Sequence, residues 1–269
     1  MILTVDIGNT SITIGVFSES ANPVDSNCRP LHRFKLSSTS NKSYDEYAAA
    51  ILSILTLNGI DQNKINGAII GSVVPYLSDI IKSALSQLIR CRILIVGSGI
   101  KSGLNIRIDN PAQLGADLVA NSVAAIARHR LPALIFDYGT ATTISIIDEG
   151  GIFSGTVIMP GLRMSIDALA NYTALLSFVS LDTPPTLIGK NSQNSILSGV
   201  INGAAIQMDG FIQKFLNEYG MPQDTVIIAT GGLAKYVIPL CSYPVVSEPD
   251  LTLLGLLQLY KINMAKRQR

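Results

Sequence analysis

The sequence predicts an α/β fold made of two similar halves, and three observations lead to this prediction. Apolar strand-like runs alternate with helix-like stretches from one end of the 269 residues to the other, which is the pattern of α/β proteins. The segment TVDIGN at 4–9 recurs in form as IFDYGT at 135–140. The two copies lie almost half a chain length apart, which favours duplication of a whole lobe over a short repeat array. Chance recurrence of strand–turn units is the simpler alternative.

Each half contains a predicted β-hairpin. The first joins strands over Ile2–Asp6 and Ile12–Phe17 through a tight turn. Asn9 and Thr10 fall in this turn, at positions where a hairpin needs residues that tolerate unusual backbone dihedrals. The repeated motif predicts a second strand–turn–strand unit that begins at 135–140.

The remaining elements follow from hydrophobic spacing and from glycine and proline near their ends. The predicted elements are a helix over Tyr44–Leu57, a strand over Gly67–Val74, a helix over Tyr76–Leu88, a strand over Arg92–Val96, a helix over Gln113–His129, a strand-to-turn element over Gly155–Gly161 and a buried strand from Val226 that ends in Thr-Gly-Gly. We predict an N-terminal lobe over 1–118 and a C-terminal lobe over 119–269.

Composition argues against several classes of protein. Apolar residues make up 48% of the chain and charged residues 14%, and the net charge is +1, so nothing electrostatic predicts binding to nucleic acid or to a membrane surface. Cys28, Cys91 and Cys241 lie far apart, without the spacing of a disulfide framework or a zinc site. No apolar run approaches the ~20 residues of a membrane span, and no signal-peptide pattern is present. We therefore expect a soluble, cytoplasmic protein.

The two hairpin turns carry the chemistry of a polyphosphate site. Gly8 and Gly139 allow close approach of a ligand to the backbone, where turn amides can hold phosphate oxygens. Asp6 and Asp137 would repel bare phosphate, so they require a cation, either Mg²⁺ carried by ATP or a monovalent ion. The hydroxyl groups nearby belong to Thr10, Ser11, Thr140, Thr142 and Thr143. Two such turns facing each other across a cleft would hold ATP. For one turn alone, the simpler interpretation is a polar hairpin turn without a binding function.

Two further segments are candidate site elements. Asp117 follows Gly115 near a predicted helix start, where it is a candidate general base for a substrate hydroxyl; the simpler interpretation is a carboxylate that is favoured by the helix dipole. The Thr230-Gly231-Gly232 strand end would let adenine or ribose lie against the backbone, or is an ordinary strand-to-helix turn. The P-loop motif Gly-x-x-x-x-Gly-Lys-Ser/Thr is absent. Gly189-Lys190 could form its second half, but Pro184 stands at the position of the first glycine.

The motifs together resemble those of the type III pantothenate kinase family, within the sugar kinase, Hsp70 and actin superfamily. They cover nearly the whole chain, and it is their order that makes them specific. The matching motifs are Asp6-x-Gly8-Asn9-Thr10, Ser72-Val73-Val74-Pro75, Gly115-x-Asp117, Asp137-x-Gly139-Thr140-Ala141-Thr142, Ile188-Gly189-Lys190-Asn191 and Thr230-Gly231-Gly232.

The resemblance implies two duplicated actin/Hsp70-type (ribonuclease H-like) lobes and ATP-dependent phosphorylation of pantothenate to 4′-phosphopantothenate, the first step of coenzyme A synthesis. It implies ATP with Mg²⁺, a monovalent cation (K⁺ or NH₄⁺) on Asp137, and Asp117 as catalytic base. It also implies a homodimer. The ATP residues would be Asp6, Ile7, Gly8, Asn9, Thr10, Ser11, Ile12, Thr13, Thr140, Thr230, Gly231 and Gly232. The substrate residues would be Gly115, Ala116, Asp117, Leu118 and Ser192.

The chain departs from the family pattern at two positions. Leu118 stands where Gly-x-Asp is normally followed by arginine, and Ser192 stands in place of the usual threonine, which keeps the hydroxyl. The absence of the arginine side chain at position 118 leaves three alternatives open. One is compensation by another cation, such as Arg107 or Arg163; the second is a related kinase for another small hydroxylated acid; the third is a weakly active or non-catalytic nucleotide-binding paralogue with a regulatory or accessory role.

Overall fold

The computed structural model describes residues 1–39, 41–97, 99–184 and 186–265. The chain forms two compact units, each of which is assembled from separate segments. The first unit contains Met1–Leu104, Asp109–Arg128 and Asp250–Arg269, and the second contains Asn105–Ile108 and His129–Pro249. The lobe boundary predicted between residues 118 and 119 falls inside a helix that belongs to the first unit, and that boundary stays a prediction.

The first unit contains a five-stranded sheet in the order β3-β2-β1-β4-β5. Strands β1, β2 and β3 are antiparallel neighbours, whereas β4 and β5 continue the sheet in parallel with β1. Its strands are β1 (Ile2–Ile7), β2 (Ser11–Phe17), β3 (His32–Ser37), β4 (Gly67–Ser72) and β5 (Ile93–Ile95).

The second unit contains a six-stranded sheet in the order β11-β10-β7-β8-β9-β6. Its strands are β6 (Asn105–Ile106), β7 (Ala133–Tyr138), β8 (Ala141–Ile147), β9 (Ile152–Pro160), β10 (Val226–Thr230) and β11 (Val246–Ser247). Read from β9 to β11, this sheet repeats the order and the directions of β3 to β5 in the first unit, and β6 is an added edge strand. The duplication predicted from the repeated motif is therefore confirmed.

The helices pack on these sheets. They are α1 (Tyr44–Leu57), α2 (Pro75–Leu88), α3 (Ala116–Arg128), α4 (Leu162–Tyr172), α5 (Ser192–Asn217), α6 (Ala234–Val237) and α7 (Leu251–Ala265), with short 3₁₀ turns at Gln62–Lys64, Pro111–Gln113 and Ile238–Leu240. Within the part of the chain that the structure describes, no helix is both long enough and apolar enough to cross a membrane.

Local sequence explains where several helices begin. Helix α1 has the predicted bounds, since Ser43 and Glu46 form a reciprocal capping box at its start. Helix α2 begins at Pro75, which suits a first-turn position that needs no N–H. The helix predicted over Gln113–His129 was placed too early, because Pro111–Gln113 forms a separate 3₁₀ turn and α3 begins only at Ala116.

Helix α7 was not predicted, although it completes the core of the first unit. Leu253, Leu254, Leu256 and Leu257 are all buried, so the apolar residues surround the helix instead of following one face. Helix α7 packs on α3 so closely at Gly255 that a Cβ atom there would collide with the backbone of Ala120. A helix that is buried around most of its circumference lacks the one-sided periodicity by which a surface helix is recognised.

Candidate active site

The β1–β2 turn of the first unit brings a carboxylate, a glycine and several hydroxyls together. Asp6 lies directly opposite Thr13 in the antiparallel register, and the backbone N–H of Gly8 donates to the carbonyl of Ser11 at 3.0 Å. The hydroxyl of Ser38, which follows β3, donates to the carbonyl of Gly8 at 2.6 Å. This brace holds the turn from outside the hairpin, and the sequence contained no signal for it.

The β7–β8 turn of the second unit repeats this arrangement with a shorter connection. Asp137 lies opposite Thr143, and the N–H of Gly139 donates to the carbonyl of Ala141 at 3.1 Å. The segment between Asp137 and Thr143 is one residue shorter than the segment between Asp6 and Thr13. The duplicated hairpins therefore differ at the tip, although their strands correspond.

Burial distinguishes the aspartates from their neighbours. The residues on either side of Asp6 and of Asp137 are buried, whereas the aspartates themselves are partly exposed. The predicted unusual dihedrals at Asn9 and Thr10 were wrong, because no non-glycine residue in the described part of the chain has a positive φ. These turns thus owe their shape to register and bracing, not to left-handed residues.

Two glycines enclose the β7–β8 turn. A Cβ atom on Gly161 would collide with the carbonyl of Thr140, so the end of β9 packs directly on the tip of the turn. Gly231 has φ +87°, and a Cβ there would lie 2.5 Å from both Asp137 Oδ1 and the carbonyl oxygen of Tyr138. Side chains other than hydrogen are therefore excluded at both positions.

The Thr230-Gly231-Gly232 segment at the end of β10 lies next to Asp137 at the end of β7. Thr230 is the parallel-sheet neighbour of Asp137 and is buried at 1% exposure, and Gly231 follows it. Gly232, by contrast, has open space where a Cβ would be. The ends of β7 and β10 thus place Thr230 and Gly231 next to Asp137.

The start of α3 lies over the end of β4 in the first unit. Gly71 is the sheet neighbour of Asp6, and a Cβ on Gly71 would lie 3.7 Å from Cβ of Ala116. A Cβ on Gly115 would likewise lie 3.4 Å from a methyl group of Val73. The Gly115-x-Asp117 motif is therefore held close to the strand that pairs with Asp6.

Asp117 is a partly buried carboxylate in the first turn of α3. Its Oδ1 atom accepts a hydrogen bond from the backbone N–H of Leu118 at 2.8 Å. Burial raises the pKa of Asp117 above its ordinary value, and backbone hydrogen bonds oppose this shift in part. A carboxylate that is held in place and made more basic suits a general base.

The two departures from the family pattern have different surroundings. Leu118 is 8% exposed, so it contributes apolar surface next to Asp117 and no charge. Ser192 is exposed at the first residue of α5, in the second unit, and the side chain of Asn191 caps this helix by accepting from the N–H of Asn194.

The residues around Asp137 fit a monovalent cation chemically. The Asp137 carboxylate and the Tyr138 carbonyl both lie against Gly231, and oxygen atoms are the ligands of hard cations. In the described residues, no group of three or more His, Cys, Asp or Glu side chains could form a protein-only metal cage. Magnesium that accompanies a nucleotide is usually bound through one or two carboxylates and the substrate phosphates.

Solved structures identify the class of fold. A Baf family protein from Campylobacter jejuni has a TM-score of 0.60 at 17% identity, with 98% of this chain and 99% of that chain covered. Component A of (R)-2-hydroxyglutaryl-CoA dehydratase from Acidaminococcus fermentans has a TM-score of 0.56 at 12% identity, with 98% of each chain covered. At such identities the likeness shows the fold alone. With the duplicated sheets, it defines a protein of the actin/Hsp70-type ATPase and sugar kinase fold.

Sequence comparisons then identify the family within this class. The model of the type III pantothenate kinase family matches residues 2–214. Type III pantothenate kinases from Exiguobacterium sp. and from Listeria innocua are each 35% identical over 98% of this chain, covering 99% and 98% of their own lengths. The chain belongs to the type III pantothenate kinase family, and the resemblance found in the motifs is confirmed.

Proposed function

We propose that this protein transfers the γ-phosphoryl group of ATP to the 4′-hydroxyl of pantothenate and so catalyses the first step of coenzyme A biosynthesis. The observation that carries the proposal is that a chain 98% covered by its match to a type III pantothenate kinase contains Asp6, Asp117 and Asp137, each partly exposed at a strand end or a helix start. Family membership identifies a kinase, hence a transferase that uses ATP with Mg²⁺ and a small-molecule substrate.

Residues of both hairpin turns would bind the phosphates of ATP. In the first unit these are Asp6 to Thr13, and in the second Thr140, with the nucleoside near Thr230 to Gly232. The turn amides and the threonine and serine hydroxyls offer donors to phosphate oxygens. Magnesium bound with ATP would neutralise phosphate charge during transfer, which explains how two aspartates are compatible with a polyphosphate ligand.

Asp117 would accept the proton of the pantothenate hydroxyl. Most of the acceleration in phosphoryl transfer comes from positioning and electrostatics, and a carboxylate orients the attacking hydroxyl. The raised pKa of Asp117 brings its basicity closer to working pH. Gly115, Ala116, Leu118 and Ser192 are proposed as its companions at substrate positions.

Three further properties belong to the proposal. Asp137 would bind a potassium or ammonium ion, which its carboxylate and the neighbouring Tyr138 carbonyl support chemically. The protein would act in the cytoplasm, where Cys28, Cys91 and Cys241 would stay reduced; all three are free thiols in the structure. A homodimer is proposed from the family resemblance.

A non-catalytic paralogue is the less favoured function. Decay of catalysis would be expected to remove the carboxylates first, yet all three are present and Asp117 keeps a defined hydrogen bond. The full-length match to pantothenate kinases points the same way.

A phosphorylation assay tests the proposal directly. Purified protein is incubated with pantothenate and Mg²⁺-ATP in potassium, ammonium or sodium buffer, and the product is detected by mass spectrometry. We expect formation of 4′-phosphopantothenate, with higher rates in potassium or ammonium than in sodium. ATP binding without product under all these conditions would instead support the accessory paralogue.

A further inference from the structure

Helices α3 and α7 of the first unit contact each other directly through their backbones. A Cβ atom on Gly255 of α7 would collide with the carbonyl group of Ala120 on α3. Three residues before Gly255, the hydroxyl of Thr252 donates a hydrogen bond to Oδ1 of Asn121 at 2.7 Å. Asn121 is buried at 1% exposure, so this polar contact lies inside the interface of the two helices. Helix α7 therefore holds the helix that carries Asp117.

The buried surface of α3 consists mostly of small side chains. Its buried residues include four alanines and a serine, namely Ala116, Ala120, Ala124, Ala125 and Ser122. Alanine methyl groups project little from a helix, so apolar packing alone distinguishes weakly between small rotations of α3 about its axis. A hydrogen bond, by contrast, is directional, and a buried one is costly to lose. One buried polar contact can therefore set the register of two packed helices.

The rotation of α3 also determines where the Asp117 carboxylate points. Asp117 and Asn121 are four residues apart, so they lie on the same face of α3 in successive turns. A side-chain group at the surface of a helix, roughly 5 Å from the axis, moves by about 1 Å when the helix rotates by about 10°. Leu256 of α7 and Ala116 both lie against Gly71, so α7 is also close to the first residue of α3.

We propose that Thr252 is a positioning residue for the general base. Its hydrogen bond to Asn121 fixes the rotation of α3 and thereby holds the Asp117 carboxylate in the direction that the acceptor hydroxyl requires. The inference rests on the proposed function, in which Asp117 accepts the proton of that hydroxyl. It gives α7 a part in catalysis that does not require contact with a substrate.

Thr252→Val tests the hydrogen bond, because valine keeps the shape of threonine but has no hydroxyl. We expect kcat to fall by about 10- to 100-fold, since misplacing a catalytic group by about 1 Å can cost on the order of 10²-fold, and KM for ATP to change little. Thr252→Ser retains the hydroxyl and should keep kcat close to that of wild type. An unchanged kcat in Thr252→Val, or an equal loss in both variants, would overturn the inference.

A double-mutant cycle with Asp117→Asn distinguishes positioning from a general structural role. If Thr252 acts through the Asp117 carboxylate, Thr252→Val should cause little further loss of kcat once that carboxylate is gone, because groups that act as a unit are not additive. Steady-state kinetics of wild type, the two single variants and the double variant give the comparison. The same fold-loss in both backgrounds would show that Thr252 supports only the fold, and would overturn the inference.

Thr225→Val is the matched control for the loss of a threonine hydroxyl. Thr225 lies before β10 in the second unit, and its hydroxyl donates to the carbonyl of Pro222 at 2.6 Å. The exchange removes a partly buried hydrogen bond, as Thr252→Val does, but leaves α3 and α7 unchanged. We expect an unchanged kcat, and thermal unfolding compares the stability of the two variants. A loss of kcat as large as that of Thr252→Val would count against the inference.

The carboxylate can also be followed without an enzymatic assay. Burial raises the pKa of Asp117 and backbone hydrogen bonds lower it in part, and a rotated α3 would alter both effects. In protein with ¹³C-labelled aspartate, the Asp117 carboxyl signal is assigned by its absence from Asp117→Asn and titrated with pH by NMR. We expect Thr252→Val, but not Thr225→Val, to shift the midpoint.

This titration separates the inference from the function on which it rests. A wild-type protein that does not phosphorylate pantothenate, but shows the shift in Thr252→Val, would refute the proposed function and support the positioning of Asp117. An unchanged midpoint in Thr252→Val would overturn the inference, whether or not the protein is active as a kinase.

Discussion

Gly231 lies directly against the carboxylate of Asp137, so that a Cβ atom at position 231 would be 2.5 Å from Asp137 Oδ1. Thr230, the residue before it, is the sheet neighbour of Asp137. The turn that follows β10 therefore packs against the Asp137 carboxylate on the neighbouring strand β7. The proposed nucleotide and cation sites depend on this contact.

Replacing Gly231 should damage the site while a neighbouring glycine tolerates the same change. Gly231→Ala introduces a methyl group at φ +87°, where it meets two oxygen atoms. We expect a loss of about 1–3 kcal/mol in the free energy of unfolding and weaker ATP binding. Gly232→Ala is the control for stability, since its Cβ would enter open space. Denaturation compares the two variants, and nucleotide titration measures ATP binding by Gly231→Ala; equal losses of stability in the two variants would contradict the role of Gly231.

Removing the proposed base should separate catalysis from nucleotide binding. Asp117→Asn keeps the size of the side chain and an oxygen that can accept from the N–H of Leu118. We expect kcat to fall by about 10²- to 10⁴-fold, with the Kd for ATP little changed. Steady-state kinetics and nucleotide titration provide the two measurements. A decrease in kcat of less than about tenfold would show that Asp117 is not a positioned base.

The same variant should be more stable than wild type at neutral pH. Because burial raises the pKa of Asp117, the folded protein holds the proton more tightly than the unfolded chain does. Wild type therefore loses stability as pH rises from the ordinary carboxyl value, about 4, through the raised value. The free energy of unfolding of Asp117→Asn should exceed that of wild type above this window and converge with it below. Activity, which needs the carboxylate, should fall with decreasing pH across the same window.

A control separates this effect from the general loss of one negative charge. Asp79 is an exposed carboxylate on α2, so Asp79→Asn removes a charge without relieving burial. Denaturation of wild type and both variants at several pH values gives the comparison. If the two variants follow the same curve, the stability difference does not come from the burial of Asp117.

Restoring arginine at position 118 tests whether the chain lacks a substrate contact there. Leu118→Arg should lower KM for pantothenate, by at most the 10- to 150-fold value of one charged hydrogen bond, and leave KM for ATP nearly unchanged. Since Leu118 is only 8% exposed, the variant should also unfold at a lower temperature. Leu118→Met is the control for volume, with no gain in KM expected. A higher KM with arginine alone would indicate that another cation already occupies the position.

The sequence by itself determined the α/β class, the duplication, several element bounds and the family. Each rests on a local signal: the Asp-x-Gly repeat, the capping residues of α1, or the ordered motifs. These signals are readable because hydrogen bonding and turn formation act over a few residues. The candidate residues Asp6, Asp117 and Asp137 were recognised in the same way.

Only the tertiary structure decided which of these residues share a neighbourhood. It placed Thr230 and Gly231 beside Asp137, and it set Ala116 next to the strand that pairs with Asp6. It also revealed α7 as a helix whose first ten residues are mostly buried. These relations join residues far apart in the chain, and they arise from packing and sheet register, which no local pattern encodes.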